Sequence, residues 1–123
     1  MMTSQKLTSP DFDWQQLRQL AGDDRAFECE LLEMFLQDAQ QSLKDLDQAI
    51  ANNSLQIIRD VAHALRGASA NVGASALALV ARQLEEDAQS NQIAAAPEQL
   101  QQIKAHCASI QAYLDQAQVG SKA

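Results

Sequence analysis

The C-terminal third of the chain carries the apolar pattern of a helix that packs in a bundle. Apolar side chains recur there in steps of three and four residues, at Leu100, Ile103, Cys107, Ile110 and Leu114. This spacing places them on one face of an α-helix and predicts a continuous buried stripe. Pro97 suits the first turn of this helix, where a backbone N–H would have no partner.

The composition extends the helical prediction to the whole chain. Ala (22), Leu (15) and Gln (18) make up 55 of the 123 residues, whereas Val, Ile and Thr together make up 12. Because β-branched and aromatic residues are scarce, the chain is poorly suited to a β-sheet. The hydrophobic content of 46% is enough for a packed core. We therefore predict a single all-α domain.

Capping residues and turns divide the chain into five predicted helices. The first runs from a cap at Asp11 or Asp13 to Gly22, the second from Asp23 or Asp24 to Asn52-Asn53, the third from Ser54 to Gly73, the fourth from about Ser75 to Asn91, and the fifth starts near Pro97. Short turns between the four long helices favour an antiparallel up-down-up-down four-helix bundle, with the short first helix across one end. The bundle domain is expected at residues 11–118, between a disordered tail at 1–10 and a frayed end at 119–123.

The apolar residues of each helix are predicted to line the core. In the second helix they recur at three- and four-residue steps, at Phe27, Leu31, Met34, Phe35, Leu43, Leu46 and Ile50. The first and fourth helices are expected to contribute Phe12, Trp14, Leu17 and Leu20, and Leu77, Val80 and Leu84. This assignment leaves no large apolar stripe exposed.

Charge and hydropathy exclude several classes of protein. The net charge of −7 argues against a nucleic-acid partner, which requires a basic surface. No apolar run approaches the roughly 20 residues of a membrane span, and the N-terminus lacks the apolar segment of a secretory signal. A cytoplasmic location is therefore expected. Cys29 and Cys107 are expected to be buried thiols, with a disulfide or a metal pair as the alternative.

His63 is the residue that the core pattern does not explain. At 100° per residue, the predicted buried stripe of the third helix consists of Leu55, Ile58, Ala62, Leu65, Ser69 and Val72. His63 lies roughly 140° from the middle of that stripe and should point into water. His106 lies only about 40–60° from the seam of the fifth helix and is predicted to be a partly buried packing residue near Tyr113.

Small and cationic residues surround His63 on the predicted helix surface. Its neighbours one and two turns away are Gln56, Arg59, Asp60, Arg66, Gly67 and Ala70. An exposed mid-helix Gly costs about 1 kcal/mol relative to Ala, so Gly67 indicates that a partner approaches the backbone here. Arg66, with Arg59 as a second cation, is suited to stabilise an anionic product on the imidazole.

This combination of residues favours a phosphoryl carrier over an enzyme with its own turnover. A neutral imidazole is a nucleophile at physiological pH and can accept a phosphoryl group on a ring nitrogen. The sequence has no Gly-rich nucleotide loop and no clear magnesium-binding carboxylate cluster, so it is not expected to use ATP alone. A bundle-core metal site is disfavoured because His63 faces outward. Taken alone, an exposed helical His is often without function.

The segment around His63 resembles the signature of histidine-containing phosphotransfer (HPt) domains. The family pattern is His-x-Leu-Lys-Gly, then a small-residue stretch that ends in Gly-Ala. The chain has His63-Ala-Leu-Arg66-Gly67 and then Gly73-Ala74. The similarity also includes Leu77, the Leu84-Glu85 pair, and Leu17, Gly22-Asp23 and Phe35 within residues 12–39, and it covers roughly residues 10 to 118. It implies a four-helix bundle whose exposed histidine is phosphorylated.

The resemblance also implies the partners and the roles of the site residues. His63 would exchange a phosphoryl group with an aspartate in receiver domains of response regulators or hybrid histidine kinases. Arg66 takes the position of the family's usual Lys, and Gly67 leaves room for the receiver, which would supply Mg²⁺ and the catalytic groups. Gln56, Arg59 and Ala70 are supporting positions. The protein itself would need no cofactor, contact no membrane, and be a monomer.

Two other functions stay open at this point. One is a binding-only HPt-like module that occupies receiver domains without transferring a phosphoryl group. The presence of His63 argues against it, because the absence of the acceptor would be its hallmark. The other is an unrelated helical scaffold or dimerisation domain, which would require a large exposed apolar stripe.

Overall fold

The computed structural model describes the backbone of residues 11–122 and the side chains of residues 11–117. Within that range every regular element is an α-helix, which confirms the predicted all-α class. The helices are α1 (Trp14–Ala21), α2 (Arg25–Ala51), α3 (Leu55–Val72), α4 (Ser75–Gln89) and α5 (Ala96–Lys122). The tail predicted at residues 1–10 lies outside the described residues. Helix α5 continues past residue 118, where the sequence predicts the end of the bundle.

The four long helices form a closed bundle. Helix α3 packs against α2 and α4, and α5 packs against the same two neighbours from the other side. Because consecutive helices are joined by short turns and lie side by side, they alternate in direction, as predicted. The short α1 packs against α2 and α3. Its Trp14 ring contacts both Phe12 and Tyr113, with centroid separations of 4.6 and 4.7 Å, which ties α1 to α5.

The predicted caps are mostly confirmed. Asp13 caps α1 by accepting a hydrogen bond from the Gln16 N–H at 3.1 Å, and Asp24 caps α2 in the same way through the Phe27 N–H. Ser54 occupies the cap position of α3, but its side chain makes no capping hydrogen bond. Helix α4 ends at Gln89 rather than near Asn91.

Gly73 joins α1 to the turn between α3 and α4. Its φ of +91° is a left-handed conformation, which L side chains rarely adopt. Its carbonyl accepts a hydrogen bond from the Asp13 N–H at 2.6 Å, and a Cβ at this position would contact the Asp13 carbonyl oxygen. A glycine is therefore required where the chain enters α4, and the close approach fixes α1 beside the α3–α4 pair.

The buried stripe of α3 agrees with the prediction. Ile58, Ala62, Leu65, Ser69 and Val72 are buried, and Leu55 at the first turn is partly buried. The polar member of this stripe, Ser69, donates its hydroxyl to the Leu65 carbonyl at 2.6 Å, so its burial leaves no unpaired donor. This stripe fixes the rotation of α3 about its axis and thereby sets which residues face solvent.

The predicted inward face of α2 is partly wrong. Phe27 and Met34 are exposed, Met34 to 59% of its surface, whereas the predicted Phe35, Leu43 and Leu46 are buried. Leu31 and Ile50 pack against the core partly buried, and the core also includes residues that the prediction omitted, Leu32, Leu36, Ala39 and Ala49. Phe27 and Met34 are two turns apart and share a face that is rotated away from the core stripe. The three- and four-residue spacing therefore combined two faces of one helix. Further apolar side chains are exposed at Leu20, Ile57 and Leu79, which the sequence did not predict.

Both cysteines are free thiols, and they differ in burial. Cys107 is buried as predicted, and burial raises the pKa of its thiol to about 11. Cys29 lies near the start of α2, at the end of the bundle, and is only partly buried, so the prediction of a buried thiol is wrong there. None of the helices in the described part of the chain is long and apolar enough to span a membrane.

Candidate functional site

His63 lies near the middle of α3 and points into solvent. Its side chain is 62% exposed, which confirms the orientation predicted from the helical angle. The buried Ala62 and Leu65 on either side of it hold this part of α3 against the bundle. The imidazole therefore projects from a rigid element, which suits a group that must present one ring nitrogen in a fixed geometry.

A buried carboxylate of the neighbouring helix binds the imidazole. The His63 Nδ1 lies 2.8 Å from the Glu85 Oε2, and the Glu85 side chain on α4 is only 10% exposed. Glu85 follows the buried Leu84 and lies one turn after the buried Ala81, so it belongs to the inward side of α4. The exposed ring of His63 is thus anchored at one nitrogen by a carboxylate that water barely reaches.

This hydrogen bond determines which ring nitrogen is available for chemistry. A carboxylate only accepts hydrogen bonds, so the Nδ1 atom that Glu85 binds must carry the proton. In the neutral ring, Nε2 is then the unprotonated nitrogen and holds the reactive lone pair. The partly solvated imidazole and the nearly buried carboxylate form a pair like those that orient histidines in catalytic sites.

Arg66 joins this pair one turn further along α3. One of its terminal nitrogens lies 3.5 Å from the Glu85 Oε1, and the other lies 3.4 Å from the His63 Nδ1. Because Nδ1 is protonated, its approach to the guanidinium is a contact rather than a hydrogen bond. The buried Oε1 of Glu85 has no hydrogen bond from any described residue, so the nearby guanidinium compensates its charge. The structure therefore brings His63, Arg66 and Glu85 together.

Gly67 and Ala70 leave the surface beside His63 open. Both are exposed on α3, and a Cβ placed at Gly67 would meet no atom within 4 Å beyond its chain neighbours and the adjacent backbone of its own helix. An alanine would therefore fit at Gly67 without displacing another part of this chain. The space next to the imidazole is available to another molecule.

The other predicted supporting residues are not part of the His63 cluster. Arg59 pairs with Asp60, with its Nε 3.6 Å from Oδ1. Gln56 donates its amide to both carboxylate oxygens of Asp60, at 3.1 and 3.0 Å. Asp60 thus binds both side chains at a separate position on α3. Their prediction rested on helical spacing, which identifies neighbours and does not decide between competing partners.

Glu85 is the site residue that sequence reasoning did not select. It is 22 positions from His63 and lies on another helix, so no helical spacing connects the two residues. One signal was present, because Glu85 sits within the apolar pattern of α4, where an ionised side chain requires a partner. A search for acidic residues on the inward side of the adjacent helix would have identified it.

His106 has a different environment from His63. It is partly buried on α5, as predicted, and no described residue forms a hydrogen bond or ion pair with its ring. Tyr113 packs against Trp14. The described residues contain no group of three or more His, Cys, Asp or Glu side chains arranged to hold a metal ion.

A family model and a solved structure both relate this chain to histidine-containing phosphotransfer proteins. A family model described as the Hpt domain matches residues 30–117. The crystal structure of histidine-containing phosphotransfer protein B (HptB) from Pseudomonas aeruginosa PAO1 is similar to this chain, with a TM-score of 0.82 and 28% sequence identity. The match covers 89% of this chain and 95% of that protein's chain. Among curated protein sequences, no match was found.

Proposed function

Because the chain belongs to the Hpt domain family, we propose that it is a phosphorelay intermediate in two-component signalling. In this proposal His63 accepts a phosphoryl group from an aspartate of one receiver domain and passes it to another. The observation that carries the proposal is the 2.8 Å hydrogen bond between the His63 Nδ1 and the buried Glu85 carboxylate. That bond leaves Nε2 of an exposed imidazole as the nucleophile.

The proposed transfer is a displacement at phosphorus. The Nε2 lone pair attacks the phosphorus of the aspartyl phosphate, an N–P bond forms, and the P–O bond to the aspartate breaks. The aspartate leaves as a carboxylate with the electron pair of that bond. The ring keeps its Nδ1 proton and becomes an imidazolium, whose positive charge Glu85 compensates from 2.8 Å. In the second transfer the attacking aspartate forms the new P–O bond, and the N–P electron pair returns to Nε2.

Arg66 and Gly67 have supporting roles in this proposal. The guanidinium of Arg66 lies 3.4 Å from the Nδ1 of His63 and its side chain is 38% exposed, which supports a role in which it reorients to bind phosphoryl oxygens on Nε2. A cation there stabilises the anionic phosphoryl group that His63 would carry. The open surface at Gly67 would allow the receiver's active site to reach Nε2.

The proposal describes a carrier and assigns the remaining catalytic groups to its partners. Phosphoryl transfer needs Mg²⁺ to neutralise developing charge, and the receiver is the proposed source of that ion. The carrier is proposed to have no kinase activity, to need no cofactor of its own and to act as a cytoplasmic monomer. Its acidic net charge of −7 argues against nucleic acid as a partner. Light scattering at working concentrations tests the monomeric state.

The direct test mixes the purified protein with receiver domains that carry labelled phosphoryl groups. We expect acid-labile, base-stable label on the wild-type protein. His63→Gln should fold normally, because an exposed helix position tolerates Gln, and should take up no label. His106→Gln is the matched control and should accept label at the wild-type rate. Label that persists in the His63 variant would contradict the assignment.

A further inference from the structure

The α3–α4 groove is a second surface feature that adjoins His63. It has a volume of about 540 Å³ and is open to solvent. Arg66, Gly67 and Ala70 of α3 line one side, and Ala78, Leu79 and Arg82 of α4 line the other. Arg66 and Gly67 therefore border both the imidazole and the groove, so a molecule that reaches His63 over Gly67 also covers this groove.

Leu79 gives the groove an exposed apolar side chain that lies outside the core. The inward residues of α4 are Leu77, Val80, Ala81 and Leu84, whereas Leu79 is 50% exposed. The facing residues Gly67, Ala70 and Ala78 are small, so they leave the space around the Leu79 side chain unfilled. Such a site can receive an apolar side chain from a partner.

Arg82 gives the same groove a cationic border. Its guanidinium is 55% exposed and pairs with Glu86 one turn further along α4, at 3.6 Å. An exposed pair of this kind contributes little to the fold, so the guanidinium is available to a partner. Together with Arg66 it places two guanidinium groups at the groove of a protein whose net charge is −7, although each is paired with a carboxylate of its own chain. The carboxylate of Asp13 at the groove's end is already bound to the Gln16 N–H.

We propose that Leu79 and Arg82 form a docking surface for the receiver domain and set which receivers this carrier exchanges with. The inference rests on the proposed function and adds residues outside the His63 cluster. The occupant is a receiver whose phosphorylated aspartate site is anionic, which matches the Arg66–Arg82 border. Its segment beside that site places an apolar side chain against Leu79. Neither residue touches the reacting atoms, so they determine affinity and choice of partner.

The first test compares Arg82→Glu with Lys104→Glu. Both cations lie in surface pairs, Arg82 with Glu86 and Lys104 with Asp47 on the α2–α5 side of the bundle, so both variants change the net charge equally. We expect Arg82→Glu to raise the receiver concentration for half-maximal transfer about tenfold at low salt, with a smaller effect at high salt. The rate at saturating receiver should stay near wild type, and Lys104→Glu should behave as wild type throughout.

The second test compares Leu79→Gln with Ile57→Gln. The two side chains are equally exposed, at 50% and 49%, and Ile57 does not line the groove. Leu79→Gln should weaken receiver binding severalfold, measured by calorimetry with an Mg²⁺-loaded receiver domain, and Ile57→Gln should not. Wild-type affinity in both Arg82→Glu and Leu79→Gln, or equal losses in the control variants, would overturn the proposal.

Labelling by phosphoramidate, a small donor that needs no docking surface, separates the docking proposal from the function on which it rests. Both groove variants should be labelled at His63 as fast as wild type. A loss of labelling equal to the loss of receiver transfer would mean that the variants damage the His63 cluster, which overturns the docking role. If wild type took no label from either donor but bound receivers through Arg82, the docking surface would stand and the proposed transfer would fail.

Discussion

The two histidines of this chain occupy the same bundle in very different surroundings. His63 on α3 is largely exposed, yet its Nδ1 is bound to the buried Glu85 on α4, and Arg66 lies against both. His106 on α5 is partly buried, next to the inert Cys107, and has no charged or hydrogen-bonding partner among the described residues. Of the two histidines, only His63 is both exposed to a partner and held in one tautomer.

The difference shows how a buried carboxylate on a neighbouring helix can fix the tautomer of an exposed imidazole. A free imidazole distributes its proton over both nitrogens, whereas a carboxylate at one nitrogen leaves the lone pair on the other. The neighbouring helix provides that carboxylate, so the reactive arrangement depends on the packing of α3 against α4. The predictions below remove or add the features that distinguish the two histidines.

Removing the carboxylate should have the largest effect. Glu85→Ala takes away the group that orients the ring and compensates its charge, so we expect transfer to fall about 100-fold. Glu85→Gln still accepts a hydrogen bond from Nδ1 and should recover part of the rate. Glu98→Ala is the control, because Glu98 is an exposed carboxylate of α5 outside the His63 cluster and the α3–α4 groove, and initial rates of label transfer provide the measurement. Wild-type transfer by Glu85→Ala would mean that the pair is incidental.

Removing the cation should have the next largest effect. Arg66→Ala loses one charged contact to the phosphoryl group, so we expect transfer or phosphohistidine lifetime to fall about tenfold. The melting temperature should also decrease, because the buried Oε1 of Glu85 loses its nearest cation. Arg66→Lys should keep most of the activity. Arg59→Ala should match wild type, since Arg59 pairs with Asp60. If the Arg59 variant were the impaired one, the sequence-based choice between the two arginines would be reversed.

Substitution of Gly67 within α3 and of Gly73 at its C-terminal cap should change the free energy of unfolding in opposite directions. Gly67→Ala should raise the free energy of unfolding by about 0.5–1 kcal/mol, because its Cβ enters open space on a helix. Gly73→Ala should lower it by roughly 1–2 kcal/mol or more, because φ is +91° and the Cβ meets the Asp13 carbonyl. Denaturant titrations measure both changes.

Transfer assays on Gly67 variants test whether the open surface serves a partner. Gly67→Gln should keep much of the stability gain, and its phosphotransfer should decrease because the side chain fills the space beside His63. A fully folded Gly67→Gln protein with wild-type transfer would remove the clearance argument. Circular dichroism of the same sample checks that helicity is unchanged.

The smallest expected effect concerns the two cysteines, because the buried Cys107 thiol on α5 should be unreactive in the folded protein. Burial raises the pKa of Cys107 to about 11, so the reactive thiolate is scarce throughout the neutral range. Cys29 is partly exposed, although burial also raises its pKa, so its alkylation should quicken as the pH rises. We expect iodoacetamide at pH 8 to modify Cys29 slowly and to leave Cys107 intact until the protein unfolds. Equal modification of Cys29 and Cys107, detected by mass spectrometry, would show that the buried face of α5 opens readily.

Much of the fold could be predicted from local patterns. The α5 seam, the caps at Asp13 and Asp24 and the stop at Gly73 depend on residues that are close in sequence. The outward direction of His63 followed from the buried stripe of its own helix. The inward face of α2 was partly mispredicted, because Phe27 and Met34 satisfy helical spacing on a face that the bundle leaves exposed.

The site was harder to predict because it depends on contacts between helices. Glu85 reaches His63 from α4, and the spacing rules that identified Arg66 and Gly67 do not extend across two helices. Arg59 and Gln56 satisfied the same rules but bind Asp60 instead. Sequence spacing therefore identifies candidate neighbours, and packing decides which of them interact with the imidazole.

The most direct test of the account locates the phosphoryl group in the wild-type protein. The protein is labelled with ¹⁵N in its histidine rings, phosphorylated by a receiver domain, and examined by NMR of the ring nitrogens. We expect one modified ring, that of His63, with phosphorus on Nε2, the proton on Nδ1, and His106 unchanged. A phosphoryl group on His106, or on the Nδ1 of His63 that Glu85 binds, would contradict the account.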